Sequence, residues 1–562
     1  MHKIDKNALS FIYKIAGKKK FYIVLLLVIQ VALGLLSVRF ALELKDLINA
    51  AVASKSTLFY MEVTRVLGII MAQLALRAVE RYVMERCSSD LENAFKERLF
   101  STLFSKDFGQ VSSVHSAIWM NKLTSDTVVV GNAMTQIFPN LAGMVVKLVA
   151  AGVAILYLEP KFGYLIVPGG LLLVVFSYGF RRQMKTYHKR VQEKDGDLRV
   201  LLQDYLGSMA IVKTFAMNKE VVDDVDQAMK EHRKARMKKN NFSNFCNTGF
   251  SIVMNGIYLC GIFYCTHGIL KGTMSYGTLM AIVQLIGQVQ SPMANITSFI
   301  PRFYAMVSSA ERLMEAEGLQ GYSSNTMLNK KQVQEFYEQA FSSIQLQNVN
   351  FSYPNEDTNV LQDYSFCIKK KEYVAFTGHS GCGKSTVLKM MLGLYQPQQG
   401  TCALYDQEQK PYSIQDYQRL FAYVPQGNYL MSGTIRSIIA FADQKDQYND
   451  QRIQNALTIA CADSFVNALE DGVDTQLGER GLGLSEGQMQ RIAIARAIYA
   501  DCPILFLDES TSALDDQTEQ QVLENLRSMT DKTVLIITHR ARALSICDRI
   551  ITFDEQGNEE IK

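Results

Sequence analysis

The chain has 562 residues, of which only 20% are charged, and a mean hydropathy of +0.01, an average that suits an apolar half joined to a soluble half better than one uniform domain. Residues 1–330 carry 38 basic against 24 acidic side chains (+14), and residues 331–562 carry 20 against 31 (−11), which together give the net +3. These figures exclude a disordered chain, a secreted disulfide scaffold and a simple nucleic-acid binder, so no nucleic-acid partner is expected. Six of the ten cysteines fall in the acidic half with no C-x-x-C or His-linked zinc spacing, and Cys260 and Cys265 sit in an apolar stretch where packing is their role.

A helix that crosses a bilayer needs about 20 mostly apolar residues. Residues 2–17 come first, a short basic amphipathic stretch that suits a membrane surface or a frayed tail. Residues 21–38 follow without a single charge and with no A-x-A-like cleavage site after them, so they read as a retained span rather than a signal peptide. The next span, near 58–79, is the weakest, because Arg65 and Arg77 shorten its apolar core. Residues 137–158 and 162–180 flank the turn Glu159-Pro160-Lys161, and residues 245–270 and 274–300 complete six spans. Lysine and arginine crowd residues 18–20 and 181–239 and are sparse in the opposite loops, which puts both termini and the two long loops on the cytoplasmic side. Those loops, 80–136 and 181–244, keep a helical spacing of apolar residues. They read as membrane helices prolonged into the cytoplasm, with separate helical hairpins as the alternative.

Beyond a polar boundary near 318–340, short β-rich runs alternate with helical ones, the pattern of a parallel α/β sheet. A strand over 373–377 runs into Gly378-His379-Ser380-Gly381-Cys382-Gly383-Lys384-Ser385, with the helical run from Thr386 behind it. This is G-x-x-x-x-G-K-S in the strand–loop–helix setting that its chemistry needs: backbone N–H groups wrap a phosphate, Lys384 reaches the β- and γ-phosphates, and Ser385 ligates Mg²⁺. Downstream, the apolar strand 504–507 ends in Asp508-Glu509, an acid placed to hold Mg²⁺ and a second placed to polarise water.

Between these elements stands Leu484-Ser485-Glu486-Gly487-Gln488, which resembles the signature motif of ATP-binding cassette (ABC) transporters. Other motifs match that family in order. Tyr353 resembles the aromatic residue that stacks on adenine, Gln426 the Q-loop glutamine that couples the cassette to the membrane helices and joins the Mg²⁺ shell, Ser512-Ala513-Leu514-Asp515 the D-loop, and His539 the switch histidine. Residues 475–481 are similar to a loop of exporter-type members that meets the membrane domain. In the membrane half, 122–126 and 211–215 resemble exporter segments more loosely. One position departs from the family: the usual signature is L-S-G-G-Q, and Glu486 takes the third place, while Ser485 and Gly487 are kept, which leaves the site competent.

The resemblance implies an α-helical transmembrane domain of six spans followed by an α/β ATP-binding cassette. Segment 1–20 would be an N-terminal elbow, 21–317 the membrane domain, 318–340 a linker and 341–562 the cassette. ATP and Mg²⁺ are the implied cofactors, with 378–386 and Tyr353 around the nucleotide, Ser385, Gln426 and Asp508 at the metal, and Glu509, His539 and Gln426 in catalysis. The implied partners are a second half-transporter, identical or related, the lipid bilayer, and a small or amphipathic substrate moved by ATP hydrolysis. An exporter-shaped importer of a metal chelate, or an ATP-gated regulator, is the alternative. With about twenty residues ahead of the first span, no leader-peptidase domain is expected. The layout fits a bacterial inner (cell) membrane with the cassette in the cytoplasm. For the substrate, Gln284, Gln288 and Asn295 fall on one helical stripe and Lys147 sits midway along the third span. These residues are read as lining a cavity, with interhelical hydrogen bonding and snorkelling as the plainer alternatives.

Overall fold

The apolar runs of the first half fold into helices that do not stop where a bilayer would end. The computed structural model describes residues 2–321, 328–354, 359–427, 430–443, 447–478, 483–554 and 557–561, with the backbone alone for 2–6, 165–178, 181, 182, 185, 291–298, 300, 554 and 557–561. Two compact units form, Met1–Phe100 with Met120–Glu317, and Ser101–Trp119 with Gly318–Lys562. The short stretch Ser101–Trp119 thus interrupts the first unit in sequence and groups with the second.

The first unit and the short interruption comprise α1 (His2–Ala16), α2 (Lys20–Val52), α3 (Ser56–Phe104), α4 (Phe108–Ser112), α5 (Ser116–Asn121), α6 (Thr127–Leu158), α7 (Gly163–Gly207), α8 (Met209–Thr214), α9 (Asn218–Leu270) and α10 (Tyr276–Gly318). With 49 and 53 residues, α3 and α9 are about 74 and 80 Å long at 1.5 Å per residue, more than twice the ~30 Å hydrocarbon core. Among the described residues, Asn7–Val52, Ser56–Phe104, Ser116–Leu158 and Asn218–Leu270 are long and apolar enough to cross a membrane. The spans expected over 162–180 and 274–300 fall in α7 and α10, where the side chains of 165–178 and 291–298 lie outside the described residues.

Small residues set the close packing of α2 on α6. A methyl on Gly34 would meet the Gly143 carbonyl at 3.3 Å, and one on Gly143 would meet Gln30 Oε1 at 2.7 Å. Beside this contact, Gln30 Nε2 donates to Glu80 (2.5 Å) and Asn140 (2.9 Å). Helices α7 and α9 are tied through Lys194 and Glu231 (2.8 Å) and through the Tyr205 hydroxyl, which donates to Asp224 at 2.8 Å. The segment 122–126 forms a π-turn whose Asp126, 1% exposed, takes a two-pronged bond from Arg312 (2.9 and 2.5 Å) while Lys122 pairs with Glu315 at 2.7 Å. Helix α1 buries Ala8, Ile12 and Ala16 and sets Phe11 against Phe95 of α3, so one of its faces is covered by protein.

The second unit carries β1 (Phe341–Phe351), β2 (Leu361–Lys369), β3 (Tyr373–Gly378), β4 (Gln399–Asp406), β5 (Pro411–Tyr412), β6 (Phe421–Val424), β7 (Gly433–Thr434), β8 (Gln476–Leu477), β9 (Ile504–Asp508), β10 (Thr533–Ile537), β11 (Arg549–Asp554) and β12 (Gly557–Ile561). The expected parallel sheet is present with order β12-β11-β3-β10-β9-β6, and only the β12–β11 edge is antiparallel. A separate antiparallel sheet, β2-β1-β4-β5, was not distinguishable in the sequence pattern. Strands β3, β9 and β10 are buried on both faces, which explains their unbroken apolar runs. Within the stretch read as a linker, the helix α11 (Lys330–Gln339) starts on an Asn329/Gln332 capping box and buries Val333 and Tyr337 in the core beneath β1.

Candidate functional site

The order β3-β10-β9-β6 places the C-terminal ends of four strands side by side, where a twisted parallel sheet offers its ligand crevice. From β3 springs the loop Gly378–Gly383, from β10 comes His539, from β9 come Asp508 and Glu509, and just after β6 comes Gln426. Residues scattered over more than 150 positions in the sequence are thus gathered by strand order alone.

The loop depends on glycine at two places. Gly378 has φ +131°, and a Cβ there would lie 2.3 Å from the Phe553 carbonyl. Gly383 adopts φ +97° as the residue that opens the helix α12 (Lys384–Met391). Lys384 is 6% exposed, and its ammonium donates to the carbonyls of Gly378 (2.6 Å) and His379 (2.7 Å), so the loop folds over its own cation. The Tyr353 hydroxyl pairs with Thr386 Oγ1 at 2.8 Å, which fixes the aromatic ring to the first turn of that helix.

Asp508 is 2% exposed and receives the Ser385 hydroxyl at 3.5 Å. Burial pushes its carboxyl above the usual carboxylate range. A buried acid beside a hydroxyl makes an all-oxygen donor set, which is the chemistry that a hard divalent cation takes. Glu509 adopts φ +48°, an uncommon conformation for a side-chain-bearing residue, held by its N–H to the Ile537 carbonyl at 3.0 Å. Gln426 Nε2 donates to Glu509 Oε2 at 2.7 Å. His539 is exposed at the same strand ends.

The signature residues lie apart from this loop within the chain. Ser485 caps the helix α16 (Glu486–Ala500), accepting from the Gln488 N–H at 3.3 Å while Gln488 Oε1 accepts from the Ser485 N–H at 2.8 Å. Leu484 packs against the core, and Glu486 is exposed in the first turn. A methyl on Gly487 would meet the Ala513 carbonyl at 2.7 Å. Among the described residues no hydrogen bond or ion pair joins 484–488 to the loop 378–386. Asp515 caps the helix α17 (Asp516–Arg527), and the Thr518 N–H holds its carboxyl below the usual range.

Sequence reading missed two residues that shape this region. Gln490, 6% exposed, donates to Ser512 Oγ (3.0 Å) and accepts from the Ala513 N–H (3.0 Å). Arg540 donates to the Ser512 and Leu514 carbonyls and to Glu519, which is 2% exposed. Each belongs to no motif; their neighbours in sequence, Gln488 and His539, carried the signal. Of the residues read as substrate-facing, Gln288 is 9% exposed and donates to the Ser37 carbonyl at 2.7 Å, an interhelical bond, while Gln284 and Lys147 are half-buried. The side chain of Asn295, and all of 479–481 in the expected membrane-facing loop, lie outside the described residues.

Comparison with known proteins agrees with this geometry. Residues 21–293 match the model of the ABC transporter transmembrane region, and residues 361–512 match that of the ABC transporter cassette. An ATP-dependent permease MDL1 of Candida albicans is 28% identical over 497 residues, covering 85% of this chain and 70% of the permease. An ATP-dependent lipid A-core flippase of Aliivibrio fischeri is 24% identical over 494 residues, covering 87% and 83%. A bacterial Atm1-family ABC exporter with ATP bound shares the fold, with a TM-score of 0.76, 21% identity, and 96% and 94% of the two chains covered. The chain belongs to the ABC transporters, as a multi-pass membrane domain fused to one ATP-binding cassette. It is of exporter type, an ATPase that drives export across a membrane.

Proposed function

We propose that the chain is one half of a dimeric exporter or flippase for an anionic amphipath, with two ATP sites shared between subunits. The observation that carries the substrate class is Lys147 on α6. It is half-buried, Arg77 of α3 is the charge that bears on it, and among the described residues neither has an acidic partner. A cation within an apolar helix costs about 2.5–3.5 kcal/mol on insertion scales, a cost that an anionic headgroup would offset. The similarity to lipid A-core flippases agrees with such cargo. Gln284, Gln288 and Asn295 would add polar lining to the same chamber. Six spans (from the apolar runs), cytoplasmic termini (from the charge pattern of the loops) and a bacterial inner membrane (from the layout of the family) complete the reading. So does the division into an elbow (1–20), membrane domain (21–317), linker (318–340) and cassette (341–562), drawn from composition.

In the closed dimer each ATP lies between the phosphate loop of one subunit and Ser485 and Gly487 of the partner subunit. The backbone of 378–386 and Lys384 hold the phosphates, and Tyr353 stacks on the base. Ser385, Asp508 and Gln426 would hold Mg²⁺, which neutralises charge on the phosphates when bound. Glu509 orients the attacking water and takes its proton, Gln426 sets the carboxylate through the 2.7 Å bond, and His539 steadies charge on the phosphoryl oxygens. ATP favours closure only by binding the closed dimer more tightly than the open one.

The test uses proteoliposomes with a fluorescent anionic lipid and its zwitterionic analogue. Lys147→Gln should lower ATP-dependent movement of the anionic probe and leave ATP hydrolysis in place. Undiminished movement of that probe by Lys147→Gln would remove the proposed substrate class.

A further inference from the structure

Two acids are buried together near the loop end of the hairpin that α2 and α3 form. Glu43 is 3% and Glu62 4% exposed. At 1.5 Å per residue, Glu43 stands about 14 Å before the end of α2 at Val52, and Glu62 about 9 Å after the start of α3 at Ser56. Two residues before Glu43, Ala41 lies in one apolar cluster with Ala151 and Ile155 of α6 and Ile282 of α10, so the acids adjoin a dry part of the unit.

Two arginines serve the pair, and they leave half of it unmet. Arg39, one turn before Glu43, pairs with Glu43 Oε1. Arg65 Nη1 donates to Glu62 Oε1 at 2.8 Å and stands 3.9 Å from Glu43 Oε2, so acids from two helices converge on one guanidinium nitrogen. Glu43 Oε2 and Glu62 Oε2 are buried and, among the described residues, receive a hydrogen bond from no donor. A side-chain hydrogen bond nevertheless links Glu62 to Glu43. Two carboxylates offer acceptors alone, so this bond exists when one of them carries a proton.

No other titratable group on the adjoining helices takes part, as far as the described hydrogen bonds and ion pairs reach. On α2, Lys45 pairs with Asp46 at 3.5 Å. Tyr60 of α3, Tyr157 of α6 and Tyr276 of α10 are exposed.

We propose that Glu43 and Glu62 form a proton-binding site, which holds one proton between their Oε2 atoms and so clasps α2 to α3 near the loop. The proton comes from water and returns to it, and the O–H bond is the one bond made and broken. With both acids ionised, two buried oxygens of like charge would face each other without a donor, while Arg39 and Arg65 are at least half exposed and engage mainly the Oε1 atoms. One proton removes a charge and satisfies both oxygens together, and it belongs to the pair rather than to either residue. Further from the loop, Gln30 and Glu80 tie the same two helices through an amide donor that needs no such proton. Alkaline medium therefore loosens the loop end of the hairpin and spares the deeper tie.

The experiment records infrared spectra of the full-length protein in nanodiscs at a series of pH values, for wild type, Glu43→Gln, Glu62→Gln and the double variant. The expected result is one carboxylic-acid band at neutral pH that disappears on alkalinisation and is missing from each single variant. The double variant should lose no more than either single variant, whereas two independent acids would give a twofold loss. Wild-type protein carrying heavy carbon in its glutamate carboxyl groups tests the site without a substitution, because the band should then move. The melting temperature of wild type should also fall relative to that of Glu62→Gln as pH rises, since glutamine keeps a donor where the acid has lost its proton.

A band that survives in either single variant, or losses that add in the double variant, would overturn the shared proton. So would the absence of a protonated glutamate from wild type at neutral pH. A melting difference between wild type and Glu62→Gln that does not change with pH would remove the clasp.

Discussion

Gln426 donates its side-chain N–H to Glu509 across 2.7 Å, and Glu509 holds a left-handed backbone conformation to accept it. The carboxylate is thereby held in one orientation. Glu509→Gln keeps the volume and removes the base. Phosphate release is expected to fall by roughly 10²–10⁴-fold, the usual worth of a general base, with ATP binding retained. ATP binding and single-turnover hydrolysis measured on the same sample check this, and retained turnover would remove Glu509 from the base role.

Gly487 lies so close to the D-loop that a methyl group would meet the backbone carbonyl of Ala513 at 2.7 Å, where no flexible side chain can give way. Gly487→Ala is therefore expected to push α16 from residues 512–515 and to cost about 1–3 kcal/mol, as overpacking commonly does. Its melting temperature should drop and its ATPase should fall. A variant with wild-type melting and turnover would show that the two elements can separate without consequence.

Glu486 is exposed at the first turn of α16, where a carboxylate favours the helix by about 0.3–1 kcal/mol. The same charge would face phosphate in a closed dimer. Glu486→Gly should lower thermal stability slightly and raise ATPase by less than about tenfold, that is by under 1.4 kcal/mol in the barrier. A rise of several orders of magnitude would mean that this chain carries an impaired signature.

Much of this site was legible because its chemistry is local. Gly378 to Ser385 needs only eight consecutive residues, and Asp508-Glu509 announces itself at the end of an apolar strand. The gathering of Gln426, His539 and Glu509 was implied by the family resemblance alone, since it follows from strand order, a long-range property set by crossovers. Gln490 and Arg540 act through carbonyls and a hydroxyl of the D-loop, contacts that leave no spacing pattern. The assignment of Ser101–Trp119 to the second unit was equally hidden, because α4 has five residues and little apolar periodicity to display. The helix α2 and the second half of α9, by contrast, were read from charge-free runs, and the prolonged parts of α3 and α9 from the helical spacing of apolar residues. The antiparallel sheet was merged with the parallel one because β1, β2 and β3 have similar β-branched and aromatic composition.

Arg540 offers a test of how the D-loop is held. It spans the Ser512 and Leu514 carbonyls and pairs at 2.9 Å with Glu519, whose side chain is almost wholly buried while that of Arg540 is 35% exposed. Removing one partner of a buried pair costs about 3–5 kcal/mol, and the exposure of Arg540 brings the expected cost to roughly 1–3 kcal/mol. Arg540→Met should lower the melting temperature more than the double variant Arg540→Met with Glu519→Gln, which leaves no unpaired charge. A double variant that melts below Arg540→Met would contradict the pairing as the source of stability.

Asp508 couples stability to its ligand in the opposite direction. Burial raises its pKa in the folded state above the unfolded value, so without a cation its contribution is most favourable below the unfolded pKa and is lost as pH rises through the folded one. Once it ionises in nucleotide-free protein, the carboxylate is a buried charge that hydroxyl donors such as Ser385 meet only in part. Asp508→Asn removes that charge and should raise the melting temperature of the nucleotide-free protein at pH 7–8 while abolishing Mg²⁺-dependent ATPase, with the stabilisation shrinking as pH is lowered. Thermal melts across pH with and without Mg²⁺ and ATP measure both effects. Nucleotide-free protein that melts lower as Asp508→Asn than as wild type would show that the carboxylate is stabilising in place, and the account of Asp508 as a charge awaiting a cation would be wrong.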